Sequence, residues 1–304
     1  MVEKPAATPR PARPRKRATA AAPVSSNTPA EAPKVQSRIV VGIDTNFMAR
    51  EALALAARLA ASVDARLKGV FVEDENLLSL CGLPFAREIS FSGEVRGVDH
   101  ERMLRAMRAQ AETARRVLQR IASEAHVDWS FDVARGRPLA LLAASANAED
   151  TLVIRAPDAS AREVGRAVRA AQETRADVLL VARGVAAKGL FGTAIARPDA
   201  PGIVPRGARP IAAVDDGSSL GQSCAAFAET LAARTGLSFH RLHVRGRDPA
   251  EIAAAARAAH AGLIVINAGW LGGDDDAARL SAAAGCPLLL LGAERIARTA
   301  PPTT

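Results

Sequence analysis

Apolar residues along this chain fall into short runs that alternate with longer periodic stretches. Runs at 38–44, 67–73, 150–155 and 177–182 are nearly continuous, as expected of strands buried on both faces of a parallel sheet. Segment 128–134 alternates apolar and polar residues and is read as a further strand. Between the runs lie stretches of helical spacing at 47–62, 100–125, 138–147 and 160–174. The stretch 74–99, with Pro84 and Gly93, reads as a long loop. Downstream, strands at 210–215, 238–244, 262–267 and 286–291 alternate with helices at 219–235, 249–260 and 274–283. Strands alternating with helices require crossover connections and a mostly parallel sheet.

The two series are copies of one pattern. Shifted by 172 positions, Ile39–Val72 falls on Ile211–Val244 without a gap. Each begins with an apolar run that ends in an acid, Asp44 and Asp216, followed by an Ala-rich helical pattern and a second strand. Further on the offset is 111: Gly136, Pro138 and Leu152–Ile154 match Arg247, Pro249 and Leu263–Val265. The second copy therefore lacks the stretch after Val72 up to about Val133, which in the first copy carries a loop, a long helix and a strand. Division of the chain follows: 1–37 a disordered basic tail, 38–183 the first domain, 184–208 a Gly/Pro-rich linker, 209–293 a shortened second domain, and 294–304 a terminal tail.

The residues that carry a family resemblance are Arg38-Ile-Val-Val-Gly-Ile-Asp44, Pro210-Ile-Ala-Ala-Val-Asp-Asp-Gly-Ser218, Gly69-Val-Phe-Val-Glu-Asp74, Asn76–Ile89 and Cys286-Pro-Leu-Leu-Leu-Leu291. In this order and repetition the chain resembles the universal stress protein family in its tandem form. The resemblance implies α/β architecture: two doubly wound, Rossmann-like parallel-sheet domains in tandem. It implies a nucleotide site in part of the family only. Asp44 and Val72, and Asp216 and Val244, match the family's adenine-side positions; an Asp that caps a turn and a buried strand Val account for them equally well. The phosphate loop of ATP-binding members, Gly-x2-Gly-x9-Gly-Ser/Thr after the fourth strand, is degenerate here. The first copy has Arg155-Ala-Pro-Asp-Ala-Ser-Ala161, without glycine. The second has Gly269-Trp-Leu-Gly272-Gly273, then three carboxylates at 274–276, and Ala282 where the third glycine belongs. A phosphate needs free backbone N–H groups and a helix N-terminus, not acids. The candidate cofactor positions are thus Asp44, Val72, Asp216, Gly217, Val244, Gly269 and Gly272, with ATP the cofactor to test and none the expectation. The spacing Gly189-x2-Gly192-x9-Gly202 sits after the fifth strand, lacks the following Ser/Thr, and reads as linker.

Composition narrows the rest. The chain has 304 residues and a net charge of +8, with 49% apolar and 24% charged residues. Residues 1–37 hold seven Lys/Arg against two Glu, and Arg10, Arg13, Arg15, Lys16 and Arg17 form a candidate contact for nucleic acid or another polyanion, or a solvated tail. No apolar run approaches the ~20 residues of a membrane span. Without Tyr, and with two Trp, stacking platforms for single strands are scarce. Cys81, Cys224 and Cys286 are too far apart for a zinc motif, and a reducing cytoplasm suits them. His240 and His243 fall on opposite faces of a strand and cannot share a metal. The acids at 274–276 suit a helix N-terminus or a hard cation. Leu104, Met107, Ala111, Ala114, Leu118, Ile121 and Ala125 could seam a coiled coil or lay helix 100–125 on its own sheet. No catalytic constellation is present in the sequence, and a non-enzymatic, stress-related binding or regulatory module is expected. The expected partners are the second copy (a pseudo-dimer through strands 177–182 and 286–291), a homodimer, or an unidentified protein.

Overall fold

The computed structural model describes residues 37–43, 49–89, 92–155, 161–181, 208–244, 248–273 and 275–292. The tail 1–36, Asp44, residues 156–160, the linker with its Gly189–Gly202 spacing, and Asp274 lie outside the described residues.

Eleven strands and eight helices are described. In the first copy they are β1 (Arg38–Gly42), α1 (Ala49–Val63), β2 (Arg66–Asp74), α2 (Glu75–Leu80), β3 (Arg87–Ile89), β4 (Val95–Gly97), α3 (His100–Glu124), β5 (Trp129–Gly136), α4 (Pro138–Ala144), β6 (Thr151–Arg155), α5 (Ala161–Glu173) and β7 (Asp177–Val181). The second copy supplies β8 (Ile211–Asp215), α6 (Ser219–Thr235), β9 (Phe239–His243), α7 (Pro249–Ala258), β10 (Leu263–Asn267), α8 (Asp276–Ala284) and β11 (Leu288–Leu291). The stretch 74–99, expected to be loop, holds α2 and the β3–β4 hairpin. Asp74 starts α2 by accepting the Asn76 N–H at 2.9 Å. Strands of three residues are too short to show a period, which is why the pattern did not reveal them.

Nine strands form one sheet in the order β5-β2-β1-β6-β7-β11-β10-β8-β9. Within each copy the neighbours in this sheet are all parallel, and the antiparallel β3–β4 hairpin stands apart from it. The first five strands give the sequential order 3-2-1-4-5 of a doubly wound domain. The last four repeat it without the third strand, so β9 forms an edge where β2 has β5 beside it. The missing strand and helix are those absent from the shorter sequence copy.

One pairing of this nine-stranded sheet is antiparallel. β7 and β11 meet in the register Leu288↔Leu180, Leu289↔Leu179 and Leu290↔Val178. These are the strands named from the sequence as pairing surfaces, and they occupy equivalent places in the repeat. The join obeys the repeat's two-fold logic: at the 111-residue offset, the pair Leu179–Leu289 maps onto Val178–Leu290. Equivalent helices meet beside it, α1 with α6 and α5 with α8. Arg234 Nη1 donates to the Ser62 carbonyl at 3.3 Å, and those two residues stand 172 apart. The two copies consequently share one continuous sheet rather than standing as separate bodies.

Each face of the sheet carries its own core. One is built from α1, α3 and α6, around Leu53, Leu67, Leu118, Leu179, Leu231 and Leu289. The other is built from α4, α5, α7 and α8, around Leu152, Val168, Leu180, Ile252, Leu280 and Leu288. Helix α3 buries Met107, Ala111, Ala114, Leu118 and Ala122 against α1, β2 and β5, so the helix lies on its own sheet. Arg105, Arg108, Arg115, Arg116 and Arg120 point to water.

Candidate functional site

In an open α/β sheet, ligands enter where the crossovers diverge, beyond the carboxyl ends of the first and fourth strands. In the second copy this crevice lies between the ends of β8 and β10. Strand β8 runs Ile-Ala-Ala-Val-Asp and stops at Asp215, which is 5% exposed. The chain then turns through Gly217, whose φ of +80° an L side chain would resist. Asp215 Oδ1 accepts the Gly217 N–H at 2.9 Å, and its other oxygen lies 3.4 Å from Arg241 Nη1 on the edge strand β9. Ser218 caps α6, accepting the Gly221 N–H on Oγ at 3.1 Å.

Asp216 joins the two sides of the crevice. Its Oδ1 accepts the Ser218 N–H at 3.0 Å and the Ser218 hydroxyl. Its Oδ2 accepts the indole N–H of Trp270 at 3.2 Å. The Ser218 hydroxyl first, with the Ser218 amide and Trp270 behind it, holds the Asp216 carboxyl below its ordinary range. Trp270 ends a 3-10 turn, Ala268–Trp270, just after β10, and is only 7% exposed. A large aromatic therefore fills the ground between the two strand ends, anchored at its polar tip.

Two glycines of the Gly269–Gly273 stretch, Gly269 and Gly273, have other partners. Asn267 Oδ1 accepts the Gly269 N–H at 2.6 Å. Asp276 Oδ2 accepts the Gly273 N–H at 2.8 Å, while its Oδ1 takes Arg279 at 2.6 Å. Arg279 foremost, then the Gly273 amide, keeps Asp276 ionised below the usual carboxylate range. Asp276 thus serves the start of α8, as the helix-dipole reading expects. Gly272 has open space around it. Asp215 thus ends β8, Asp216 follows it and Asp276 follows β10, and the Gly269 and Gly273 amides are already engaged.

Of the other sequence-named positions, Val244 is buried and its N–H donates to the Asp215 carbonyl at 3.2 Å. Val72 is half-buried against the second core, and the Ile43 N–H donates to the Val70 carbonyl at 2.9 Å. Asp216, Gly217 and Val244 thus stand at the end of β8 and Gly269 just after β10, the two ends joined by the Asp216–Trp270 bond, with Gly272 two residues beyond Trp270. In the first copy only Val72 can be placed, since Asp44 and residues 156–160 lie outside the described residues. Arg10, Arg13, Arg15, Lys16 and Arg17 lie outside them as well.

Sequence reasoning missed Asp215, Asn267 and Trp270. A tryptophan inside a Gly-x2-Gly stretch was the available signal, because bulk there conflicts with close backbone approach to a ligand. Among the described residues no group of three His, Cys, Asp or Glu could hold a metal ion. Cys224 and Cys286 are buried, and burial pushes both thiols up to about 12. No helix among the described residues is long and apolar enough to cross a membrane.

No protein-family model matches the sequence, and no curated protein matches it. Solved structures do. A universal stress protein from Archaeoglobus fulgidus superposes with a TM-score of 0.56 at 12% identity, covering 84% of this chain and 96% of that one. A universal stress family protein from Burkholderia pseudomallei matches at 23% identity and a TM-score of 0.32, over 49% of this chain and 98% of that one. A universal stress protein in complex with cAMP matches at 16% identity and a TM-score of 0.27, over 48% of this chain and 97% of its own. At these identities a likeness speaks for architecture, and only the first superposition is close enough to do so. Taken with the strand order, it shows that this chain has the universal stress protein fold.

Proposed function

We propose that the chain is a universal-stress-type binding and regulatory module, non-enzymatic and cytoplasmic, in which the nucleotide crevice of the second copy has become structural. The observation that carries this is the Trp270–Asp216 hydrogen bond across the crevice, with Trp270 buried beneath it. The engagement of the Gly269 and Gly273 amides by Asn267 and Asp276 supports it. A ligand phosphate would have to displace two carboxamide or carboxylate acceptors and approach three aspartates, with nothing gained in exchange. The absence of a catalytic constellation in the sequence favours a surface-mediated role. Free cysteines and an apolar pattern without spanning segments fit a cytoplasmic setting.

Thermal melting with and without Mg-ATP, read by tryptophan emission, tests this. A ligand at a hundred times its dissociation constant adds ~2.7 kcal/mol, several degrees at this size. The expected outcome is an unchanged melting temperature. A shift abolished by Trp270→Ala would place ATP in the second copy and turn the module into a nucleotide switch. A shift that survives that substitution would place ATP in the first copy.

A further inference from the structure

Copy one carries an apolar surface that copy two lacks. Of the large hydrophobic side chains exposed among the described residues, Leu77, Leu80, Leu83, Phe85, Ile89 and Val95 all fall in the short stretch formed by α2, the turns after it and the β3–β4 hairpin. Phe85 is 75% exposed, Ile89 71% and Val95 60%. Ile89 and Val95 are directly paired across the hairpin, so they share a face, and that face meets water. The middle pair, Glu88 and Arg96, lies on the opposite face, where Glu88 Oε2 binds Arg102 of α3 at 2.6 Å.

The segment is held ready. Leu78 anchors α2 in the core. Turn bonds link Cys81 to Leu78, Gly82 to Ser79, Leu83 to Leu80 and Ala86 to Leu83. Arg87 Nη1 donates to the carbonyls of Pro84 and Ala86, both at 3.2 Å. A preorganised surface loses little entropy on association.

We infer that this surface is a self-association interface, through which two copies of the chain pair about a two-fold axis. Three features select a second copy as the occupant. The first is area. Large apolar side chains present on the order of 150–200 Å² each, so these exposures leave on the order of 600 Å² of apolar surface in water. That is at the top of what monomers carry, ~300–600 Å², and matches the apolar share of the ~800 Å² that each partner buries in a stable dimer. The second is charge. The hairpin strands hold Arg87 and Arg96 against Glu88, a near-balanced set within a chain of net charge +8, so like can face like without repulsion. The third is the backbone. β3 and β4 form a sheet of their own, and each has an open edge. A two-stranded hairpin is marginal alone, and an antiparallel neighbour related by a two-fold would complete it.

Sedimentation velocity of the full chain across a dilution series tests the inference. The expected species is a dimer of twice 31.7 kDa. Phe85→Glu and Ile89→Glu should each weaken it at least ~30-fold. Leu220→Glu, at an exposed leucine of the second copy, should leave it intact. Because the substituted side chains already face water, the melting temperatures of dilute protein should be unchanged, which separates lost pairing from lost folding. A wild type that stays monomeric at every concentration overturns the inference, whether the patch is then covered by another protein or by the chain itself. A dimer that survives both glutamate substitutions overturns it equally.

Discussion

At Gly221, one position inside the first turn of α6, two rules oppose each other. Ala normally stabilises a helix interior by ~1 kcal/mol over Gly. Here a Cβ would sit 2.6 Å from Asp216 Oδ1 and 3.0 Å from the Asp216 backbone nitrogen. Gly221→Ala should therefore destabilise, by ~1–3 kcal/mol, because the Asp216–Ser218 turn must shift and the Trp270 bond with it. Urea unfolding checks the sign; a gain in stability would mean that the turn is slack. The thiols make a second residue-scale prediction. Cys224 and Cys286 are raised from 9.0 to about 12 by burial foremost. In native protein an aromatic disulfide reagent should modify only Cys81, and all three cysteines in denaturant. A folded pKa above the unfolded one means that the stability from neutral thiols is complete below pH 9 and is lost as the pH rises toward 12. Replacing both with Ala should flatten that alkaline decline, and an unchanged slope would assign it to other groups.

Among the elements, the join between β7 and β11 concentrates the most buried apolar contact between the copies. Leu179 and Leu289 oppose each other in one core, and Leu180 and Leu288 in the other. Leu179→Ala and Leu289→Ala should each cost ~2–5 kcal/mol. The double variant should cost less than the two together, because each cavity removes the other's neighbour. Strict additivity in a double-mutant cycle would show that the strands do not pair in this register. The edge strand β9 contrasts with this join. It is five residues long, with His240, Arg241 and His243 exposed, and such a short, basic edge discourages pairing with other chains.

For the molecule as a whole, one sheet with two cores that both run across the join behaves as a single cooperative body. Calorimetry should give one transition whose calorimetric and van't Hoff enthalpies agree. Two resolved transitions would mean that the copies keep independent stability and that the β7–β11 join is weak. The same continuity bears on ligand response. Asp216 follows β8 and Trp270 follows β10, the strand beside β11, so a ligand that moved Trp270 would disturb the core that α5 shares with α8.

Much of this architecture is legible in the residues themselves. Buried parallel strands need continuous apolar runs and their crossovers need periodic helices, so element order and repeat can be read from Ile39–Val72 set against Ile211–Val244, and the missing third strand from the change of offset at Leu152–Ile154 and Leu263–Val265. The degeneracy of the phosphate loop is legible too, because acids stand where amide donors are required. Other features depend on distance in space. Asp216 and Trp270 are 54 positions apart, and nothing local in either predicts that one carboxylate oxygen will meet the other's indole. α2 and the β3–β4 hairpin escape notice because elements of three to six residues show no period, and their outward apolar face is defined only by where α3 and β5 already lie. The sequence by pattern specifies which surfaces are apolar. Only the folded chain decides which of them find cover, since burial is a property of neighbours and not of a residue.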